Sequence, residues 1–235
     1  MSVYCVWCYT KIIPEVEWQT FFFPEKPRTL CQKCEASLEK IDLIACEMCG
    51  RPSTKDKQQE NPTICPDCAK WQQDPRWKSI LTFNRSVYQY NPLLQDMITK
   101  WKYRGDYHVF HAFEEAVVET FKHYFVKTVP DAILVPIPLS AERLEERAFN
   151  QAKVLADLLP YQSENVLQRI HGEKQAKKTR QERLDSTNPF VLKSPITKTV
   201  ILIDDIYTTG TTLRHAAKIL KQQGCPKVYA FTLAR

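Results

Sequence analysis

The sequence predicts an α/β protein, in which helices flank a parallel β-sheet, preceded by a cysteine-rich metal-binding region. Eight of the nine cysteines fall within residues 1–75. Residues 76–235 instead alternate short, continuous apolar runs with helical segments of ten or more residues. That alternation is typical of βαβ units and of a parallel sheet. We therefore expect a zinc-binding region over residues 1–75 and an α/β domain over residues 76–235.

The composition is that of a globular chain with an uneven charge. Of 235 residues, 43% are hydrophobic and 26% are charged, which excludes disordered and collagen-like classes. No window approaches the roughly 18 apolar residues of a membrane span, and the first residues lack the basic and apolar order of a signal peptide. Cytoplasmic location without membrane insertion is the expectation. Residues 1–75 hold 9 Lys and Arg against 11 Asp and Glu, whereas residues 76–235 hold 24 against 16.

The N-terminal cysteines form four C-x-x-C pairs, with 22, 11 and 15 residues between successive pairs. Each such turn supplies half of a tetrahedral zinc shell. Disulfides need an oxidising compartment, and a redox C-x-x-C normally occurs once. We predict two structural zinc ions with closed thiolate shells. Sequential pairing gives one ion Cys5, Cys8, Cys31 and Cys34 and the other ion Cys46, Cys49, Cys65 and Cys68. An interleaved pairing stays open, because spacing alone does not exclude it.

Metal binding and local folding are coupled in small zinc modules. We therefore expect Cys49→Ser to unfold residues 46–68 more than it affects residues 76–235.

The second region is predicted element by element. Short apolar runs predict buried parallel strands, Asn and Ser mark helix N-caps, and Gly marks a helix end. In chain order, we expect two short strands in residues 79–90, a helix from Asn91 to about Tyr103, a helix from about Asp106 to Phe125, a strand within residues 131–140, a helix from Ser140 to Leu159, a strand at residues 199–203, a helix from Thr211 to Gln223, and a strand at residues 227–233.

Residues 170–188 differ from the rest, because they lack apolar periodicity and are rich in Lys and Arg. Their cations are Lys174, Lys177, Lys178, Arg180 and Arg183. One interpretation is a solvated surface loop. The other is a basic flap that closes over an anionic ligand. We favour the flap, since long loops without secondary structure are uncommon in compact domains unless they are functional.

The most informative stretch follows the strand at residues 199–203. Two acids, Asp204 and Asp205, end the strand, and a Thr- and Gly-rich loop then leads into a helix. The loop residues are Thr208, Thr209, Gly210, Thr211 and Thr212. Backbone N–H groups at a helix N-terminus bind phosphate, and Gly210 permits close approach. Carboxylates only accept hydrogen bonds, so the acids suit diol hydroxyls or hydrated Mg²⁺. Phosphate beside a sugar diol indicates ribose 5-phosphate chemistry.

This stretch resembles the signature of type I phosphoribosyltransferases, which bind phosphoribosyl pyrophosphate (PRPP). The resemblance implies that Asp204 and Asp205 meet the ribose hydroxyls, directly or beside Mg²⁺, and that residues 208–212 hold the 5′-phosphate. Thr208 stands where purine-salvage members carry an acid, which argues against purine salvage.

Residues 102–107, 135–152 and 174–184 resemble the ComF family of competence-associated proteins, which join a zinc region to a type I phosphoribosyltransferase-like domain. The resemblance implies natural transformation, with single-stranded DNA handled at the inner face of the membrane beside helicase-like and channel proteins. Ala148 stands where the family usually has Gly, so we expect a local packing change there.

Several cations are candidates for contacts with pyrophosphate or DNA phosphates: Lys102, Arg104, Arg143, Arg147, Lys177 and Arg180. Arg143 and Arg147 share one helix face. They either aim at pyrophosphate or form surface ion pairs with Glu142 and Glu146.

Three functions remain at this point. We favour a DNA-uptake factor that keeps a PRPP-type site. The alternatives are an active phosphoribosyltransferase whose acceptor and catalytic residue the sequence does not identify, and a structural adaptor. DNA contacts either the basic part or the aromatic residues of the zinc region, such as Trp7 and Trp18.

Overall fold

The structure is a computed structural model that describes residues 3–13, 28–53, 63–103, 106–170 and 188–235. It comprises two compact units, the first formed by Met1–Glu39 and Tyr90–Glu115 and the second by Lys40–Gln89 and Ala116–Arg235. The predicted boundary near residue 75 lies inside the second unit.

The helices and strands are short and evenly spread along the chain. In order, they are β1 (Val3–Tyr4), β2 (Lys11–Ile12), α1 (Gln32–Ala36), α2 (Pro66–Gln73), β3 (Asn84–Tyr88), α3 (Pro92–Tyr103), a 3₁₀ helix (Tyr107–Ala112), α4 (Glu114–Phe121), a π-helical turn (Lys122–Val126), β4 (Ile133–Pro136), α5 (Ala141–Arg147), α6 (Gln151–Asp157), β5 (Leu167–Arg169), β6 (Phe190–Leu192), β7 (Val200–Ile206), α7 (Thr211–Gln222) and β8 (Val228–Ala234). Among the described residues, none of these helices is long and apolar enough to cross a bilayer.

The first unit has a small aromatic core. Helix α3 begins after Asn91, whose side chain accepts a hydrogen bond from the Leu94 N–H at 2.9 Å, as its N-cap role predicts. The ring of Trp101 on α3 stacks on Phe110 of the 3₁₀ helix, with ring centroids 5.3 Å apart, and Trp101 is fully buried. Through this aromatic packing, the small first unit buries apolar surface in addition to its cysteines.

The second unit is organised by a four-stranded sheet in the order β3-β8-β7-β4. Every neighbouring pair of strands in it is parallel. Strands β7 and β8 are central, and residues 200–203 and all of β8 are buried, as continuous apolar runs predict. Helix α6 packs on β4 and β7, and α7 packs on β7 and β8. The prediction of a parallel sheet with flanking helices is confirmed.

Three element predictions were wrong in detail. Residues 79–90 form one strand instead of a hairpin, because β3 finds its partner in β8 and not in its own neighbour. The helix expected from Ser140 to Leu159 is broken at Ala148, whose φ is 64°, and Asn150 caps a new helix by accepting from the Ala152 N–H at 3.0 Å. The helix expected up to Phe125 is divided into 3₁₀, α and π segments.

A small antiparallel ladder of β5 and β6 was not predicted. Its two strands precede and follow the basic segment, and the Ile170 N–H donates to the Pro189 carbonyl at 2.9 Å. Residues 171–187, and with them the predicted flap, lie outside the described residues.

Candidate ribose-phosphate site and metal centres

The acidic pair lies at the carboxyl end of the central strand β7. Asp204 is paired in register with Thr232 of β8, and both acids are half-buried. The Asp204 carboxylate accepts from the Asp205 N–H, and the Asp205 carboxylate accepts from the Ile206 N–H, each at 2.9 Å. These local hydrogen bonds orient one oxygen of each acid and leave further acceptor capacity. Ligands of open parallel sheets bind at this edge.

The loop after the acids is held firmly at both ends. The Tyr207 N–H donates to the Ala234 carbonyl at 2.8 Å, and Tyr207 is only 3% exposed. Burial raises the pKa of Tyr207 to about 12, so its hydroxyl stays protonated. At the other end, Gly210 adopts a left-handed φ of 74° immediately before α7. The sequence therefore needs glycine at this turn.

The threonines of the loop are disposed around the N-terminus of α7. Thr208 is exposed, Thr209 and Thr212 are half-buried, and Thr211 is 5% exposed. The hydroxyls of Thr209 and Thr211 lie 2.8 Å apart. Gly210 gives the first turn of α7 no side-chain cap. The Thr211 N–H donates to the Thr209 hydroxyl at 3.4 Å, whereas the other N–H groups of this turn and the helix dipole favour an anion here, as the sequence predicts.

The loop after β4 lies beside the same edge. The Ile137 N–H donates to the Ile203 carbonyl at 2.9 Å, and the Asn150 side-chain amide donates to the Ile137 carbonyl at 3.0 Å. The hydroxyl of Ser140 accepts from the Arg143 N–H at 3.4 Å and caps α5, as predicted. Residues 137–140 are thereby fixed next to the strand that carries the acids.

The sequence analysis missed Arg169, at the end of β5. Its guanidinium lies over the ring of Phe190, 5.5 Å from the centroid. Burial lowers the pKa of Arg169, the charge of Arg143 lowers it further, and the carboxylate of Asp204 raises it. Arg169 therefore lies within electrostatic range of both Arg143 and Asp204. In the sequence, only its place directly before the basic residues 170–188 could have drawn attention to it.

The other predicted cations are distributed as follows. Arg147 is half-buried, and its guanidinium donates to the Gln151 side-chain oxygen at 3.2 Å. Lys102 is half-buried on α3 in the first unit. Arg104, Lys177 and Arg180 lie outside the described residues.

The cysteine sulfurs form two clusters that follow the sequential pairing. Within each set of four, all sulfurs lie within 4.8 Å of one another, and the structure shows no interleaved cluster among its described residues. A tetrahedral zinc site with Zn–S bonds of about 2.3 Å places its sulfurs roughly 3.8 Å apart. The Cys8–Cys31 and Cys49–Cys65 sulfur distances are 3.6 and 3.7 Å. Both clusters could therefore hold zinc.

The two clusters are built in the same way. In each, a C-x-x-C turn is followed by a residue with left-handed backbone, Tyr9 at φ 59° and Gly50 at φ 67°. The second pair of each cluster begins a helix, with Cys31 and Cys65 as N-caps of α1 and α2. Thiolates at helix N-termini are favoured by the helix dipole. A hydrogen bond with Thr10 lowers the pKa of Cys8 to about 6.

The second cluster belongs to the core of the sheet unit. Its four cysteines are grouped with buried residues of β4, β7, α7 and β8. The Asn84 N–H donates to the Met48 carbonyl at 2.7 Å, and Arg85 donates to the Glu47 carbonyl at 2.8 Å. The turn of the cluster thus covers the edge strand β3. Because the cluster shares this core, we expect the loss of Cys49 to destabilise the sheet unit as well as residues 46–68.

Comparison with known proteins supports this geometry. The phosphoribosyl transferase domain matches residues 144–235. The chain is 39% identical to competence protein ComFC of Bacillus subtilis (strain 168), covering 98% of this chain and 94% of the relative. ComFC of Streptococcus pneumoniae is 31% identical, over 88% of this chain and 87% of the relative. The DNA utilization protein YhgH of Escherichia coli (strain K12) is 26% identical, over 88% of this chain and 96% of the relative.

The similarity to the first of these relatives extends over nearly all of both chains, and so over the cysteine-rich region as well as the phosphate loop. The chain belongs to the ComF/ComFC family of competence proteins, and its C-terminal part is a phosphoribosyl transferase domain.

Proposed function

We propose that this protein acts in natural transformation on incoming single-stranded DNA and that it carries a Mg²⁺-dependent site for PRPP or a related ribose phosphate. The observation that carries the ribose-phosphate part is the acidic pair Asp204 and Asp205 at the carboxyl end of β7, followed by the loop of residues 208–212 at the N-terminus of α7. The names of the relatives, competence and DNA utilization proteins, support the DNA part.

In the proposed site, three sets of residues contact different parts of the ligand. The N–H groups and hydroxyls of residues 209–212 hold the 5′-phosphate. The carboxylates of Asp204 and Asp205 meet the ribose hydroxyls or Mg²⁺, which prefers oxygen ligands. Arg143 and Arg169, both close enough to influence each other electrostatically, face the pyrophosphate. No part of this arrangement needs a group from the first unit.

DNA binding is assigned to the basic surface of the C-terminal part. Residues 76–235 carry an excess of Lys and Arg, and backbone phosphates are the natural partner of such a charge. The cations of residues 174–183 are the main candidates. The protein is proposed to work in the cytoplasm at the inner face of the membrane, with helicase-like and channel proteins of DNA uptake as partners. Two zinc ions are proposed to be structural, since their thiolate shells are closed.

A second candidate function is an active phosphoribosyltransferase. The electrostatic influence of Arg143 and Asp204 on Arg169 favours it, because transfer at the anomeric carbon needs cations that neutralise the pyrophosphate leaving group. Release of pyrophosphate from PRPP that depends on an added acceptor would establish this activity. The acceptor is not identified by any residue described above.

The test of the proposed function is calorimetry with PRPP and Mg²⁺, repeated with single-stranded DNA. We expect saturable PRPP binding that Asp205→Asn weakens at least about tenfold, the effect expected when a charge-assisted contact is lost. Asp96→Asn is the matched control, since Asp96 is an exposed acid on α3. Equal affinity in the wild-type protein and Asp205→Asn would exclude the proposed role of the acidic pair.

A further inference from the structure

The second cysteine cluster is joined to the phosphate loop by one aromatic side chain. Cys65 caps the N-terminus of helix α2, the helix contains Cys68, and Trp71 follows Cys68 by about one helical turn. Residues three apart lie on the same face of a helix. The indole of Trp71 is 3% exposed, and its Nε1–H donates to the Thr209 carbonyl at 3.2 Å. The orientation of α2 therefore sets the position of a carbonyl inside the phosphate loop.

This hydrogen bond has a direct consequence for the anion site. The peptide unit between Thr209 and Gly210 is planar and trans, so its carbonyl and its N–H point in opposite directions. Holding the Thr209 carbonyl toward Trp71 turns the Gly210 N–H away from Trp71. That N–H is one of the donors assigned to the ribose phosphate.

A buried guanidinium completes the support behind the loop. The Arg214 guanidinium lies over the Trp71 ring, 4.3 Å from the centroid, and donates to the Tyr207 hydroxyl at 2.8 Å. A Cβ added at Gly210 would overlap Arg214 Nη1 and the Tyr207 hydroxyl. The loop thus rests directly on this pair, and a shift of Trp71 would disturb side chains that contact the loop.

The Arg235 side chain forms a second connection between the second cysteine cluster and the phosphate loop. Its Nη2 donates to the sulfur of Cys49 at 2.8 Å, and its guanidinium lies 4.9 Å from the centroid of the Tyr207 ring. A cleft that opens to solvent lies between these groups. Its lining residues include Cys49, Cys68, Trp71, Tyr207, Thr209 and Arg235. Ligands of the metal and residues of the phosphate loop therefore line one and the same cleft.

We propose that Trp71 is a positioning residue that couples metal occupancy of the second cysteine cluster to ribose-phosphate binding. Metal at Cys65 and Cys68 fixes the first turn of α2, α2 fixes Trp71, and Trp71 fixes the donor geometry of the loop. Coupling between two binding sites is reciprocal, so a bound ribose phosphate must also retain the metal. The proposal rests on the ribose-phosphate site proposed above.

The experiment measures zinc release from the zinc-loaded full chain by a zinc-selective chelator, with and without saturating ribose 5-phosphate. We expect ribose 5-phosphate to slow the release of one of the two ions at least about fivefold, within the usual range of coupling between sites. The second ion acts as an internal control. Cys8→Ser identifies which release phase belongs to the first cluster.

Variants separate coupling from simple stability. Trp71→Phe keeps a ring but removes the N–H, and we expect the ratio of release rates with and without ribose 5-phosphate to approach one. Trp77→Phe is the matched control, because Trp77 is 4% exposed and its Nε1–H has no hydrogen-bond partner in the described part of the chain. A purely structural role would change both rates together and leave their ratio unaltered. Arg235→Gln tests the second connection if Trp71→Phe does not fold.

The outcomes distinguish this proposal from the one on which it rests. Binding of ribose 5-phosphate in calorimetry, with zinc release unaffected, overturns the coupling and leaves the proposed function standing. A release ratio that persists in folded Trp71→Phe, or in Arg235→Gln where Trp71→Phe does not fold, also overturns it. Absence of binding of both ribose 5-phosphate and PRPP to the zinc-loaded protein rejects the proposed function itself.

Discussion

The two cysteine clusters have the same local design but different surroundings. Both use a turn that ends in a left-handed residue and a helix capped by cysteine. In the first cluster Cys8 is exposed and Cys31 is half-buried. In the second, Cys46, Cys49 and Cys68 are at most 1% exposed and pack with the sheet. The spacing of the cysteines therefore predicts which of them can form a metal site. How deeply that site is buried determines which part of the protein the metal stabilises.

The largest expected difference between the clusters is in stability. Cys49→Ser should destabilise the sheet unit by several kcal/mol, because loss of a structural metal site removes folding free energy from a shared core. Cys8→Ser should leave that unit nearly unchanged. Thermal unfolding with hydrogen exchange of β7 and β8 measures both. Equal protection of β7 and β8 in the two variants would remove the proposed distinction between the clusters.

DNA binding provides a second contrast between the basic segment and the first cluster. Neutralising the five cations of residues 174–183 should reduce the slope of log K against log salt, since each phosphate contact contributes about −0.7. Zinc content should stay the same. Filter binding to single strands across a salt series gives the slope. If Trp7→Ala abolishes binding while the neutralised variant binds normally, the aromatic residues of the zinc region are the DNA site.

The left-handed residues offer a smaller, paired test. A Cβ at Gly50 would lie 2.8 Å from the Asn84 carbonyl oxygen, and its φ is already unfavourable for other residues. Gly50→Ala should therefore cost about 2 kcal/mol. Tyr9→Gly, at the same backbone conformation in the first cluster, should be close to neutral. Denaturant unfolding of both variants measures the difference. A Gly50→Ala protein as stable as the wild type would show that the second turn is not pressed against β3.

The smallest effect is expected at Ala148. This residue has a φ of 64° and ends α5, a conformation that disfavours a Cβ by roughly 1 kcal/mol. Ala148→Gly should consequently stabilise the protein by somewhat less than that, since glycine also gains freedom in the unfolded chain. Thermal unfolding detects the change. A destabilised variant would mean that the Ala148 methyl group makes compensating contacts.

Local chemistry in the sequence was sufficient for much of the fold. Buried strands, helix caps at Asn91 and Ser140, and the acidic pair before the loop are all encoded within a few residues. The failures concern pairing over long distances. Residues 79–90 contain an Asn-Arg pair between two short apolar stretches, which suits a hairpin turn. Strand β3 pairs with β8 instead, and no local signal in the sequence indicates that choice.

In the candidate site too, local features could be predicted from the sequence and long-range contacts could not. The phosphate loop could be predicted from the sequence because its glycine and threonines are consecutive. Arg169 and Trp71 could not, because each reaches the loop or its acids from a different element. Residues that only the tertiary structure brings together have no characteristic spacing in the sequence by which they could be recognised. Their roles became apparent only from geometry.

The pairing of β3 with β8 also has a consequence for how the chain folds. Ser86 and Thr232, whose hydroxyls lie 2.7 Å apart across this pair, are separated by 146 positions in the chain. Contacts of such separation form slowly, and synthesis delivers the N-terminal partner first. The turn at residues 46–50 is made before β3 and bonds its outer edge, where the Asn84 N–H donates to the Met48 carbonyl. We therefore expect only the edge of β3 that β8 will occupy to remain unpaired until synthesis ends.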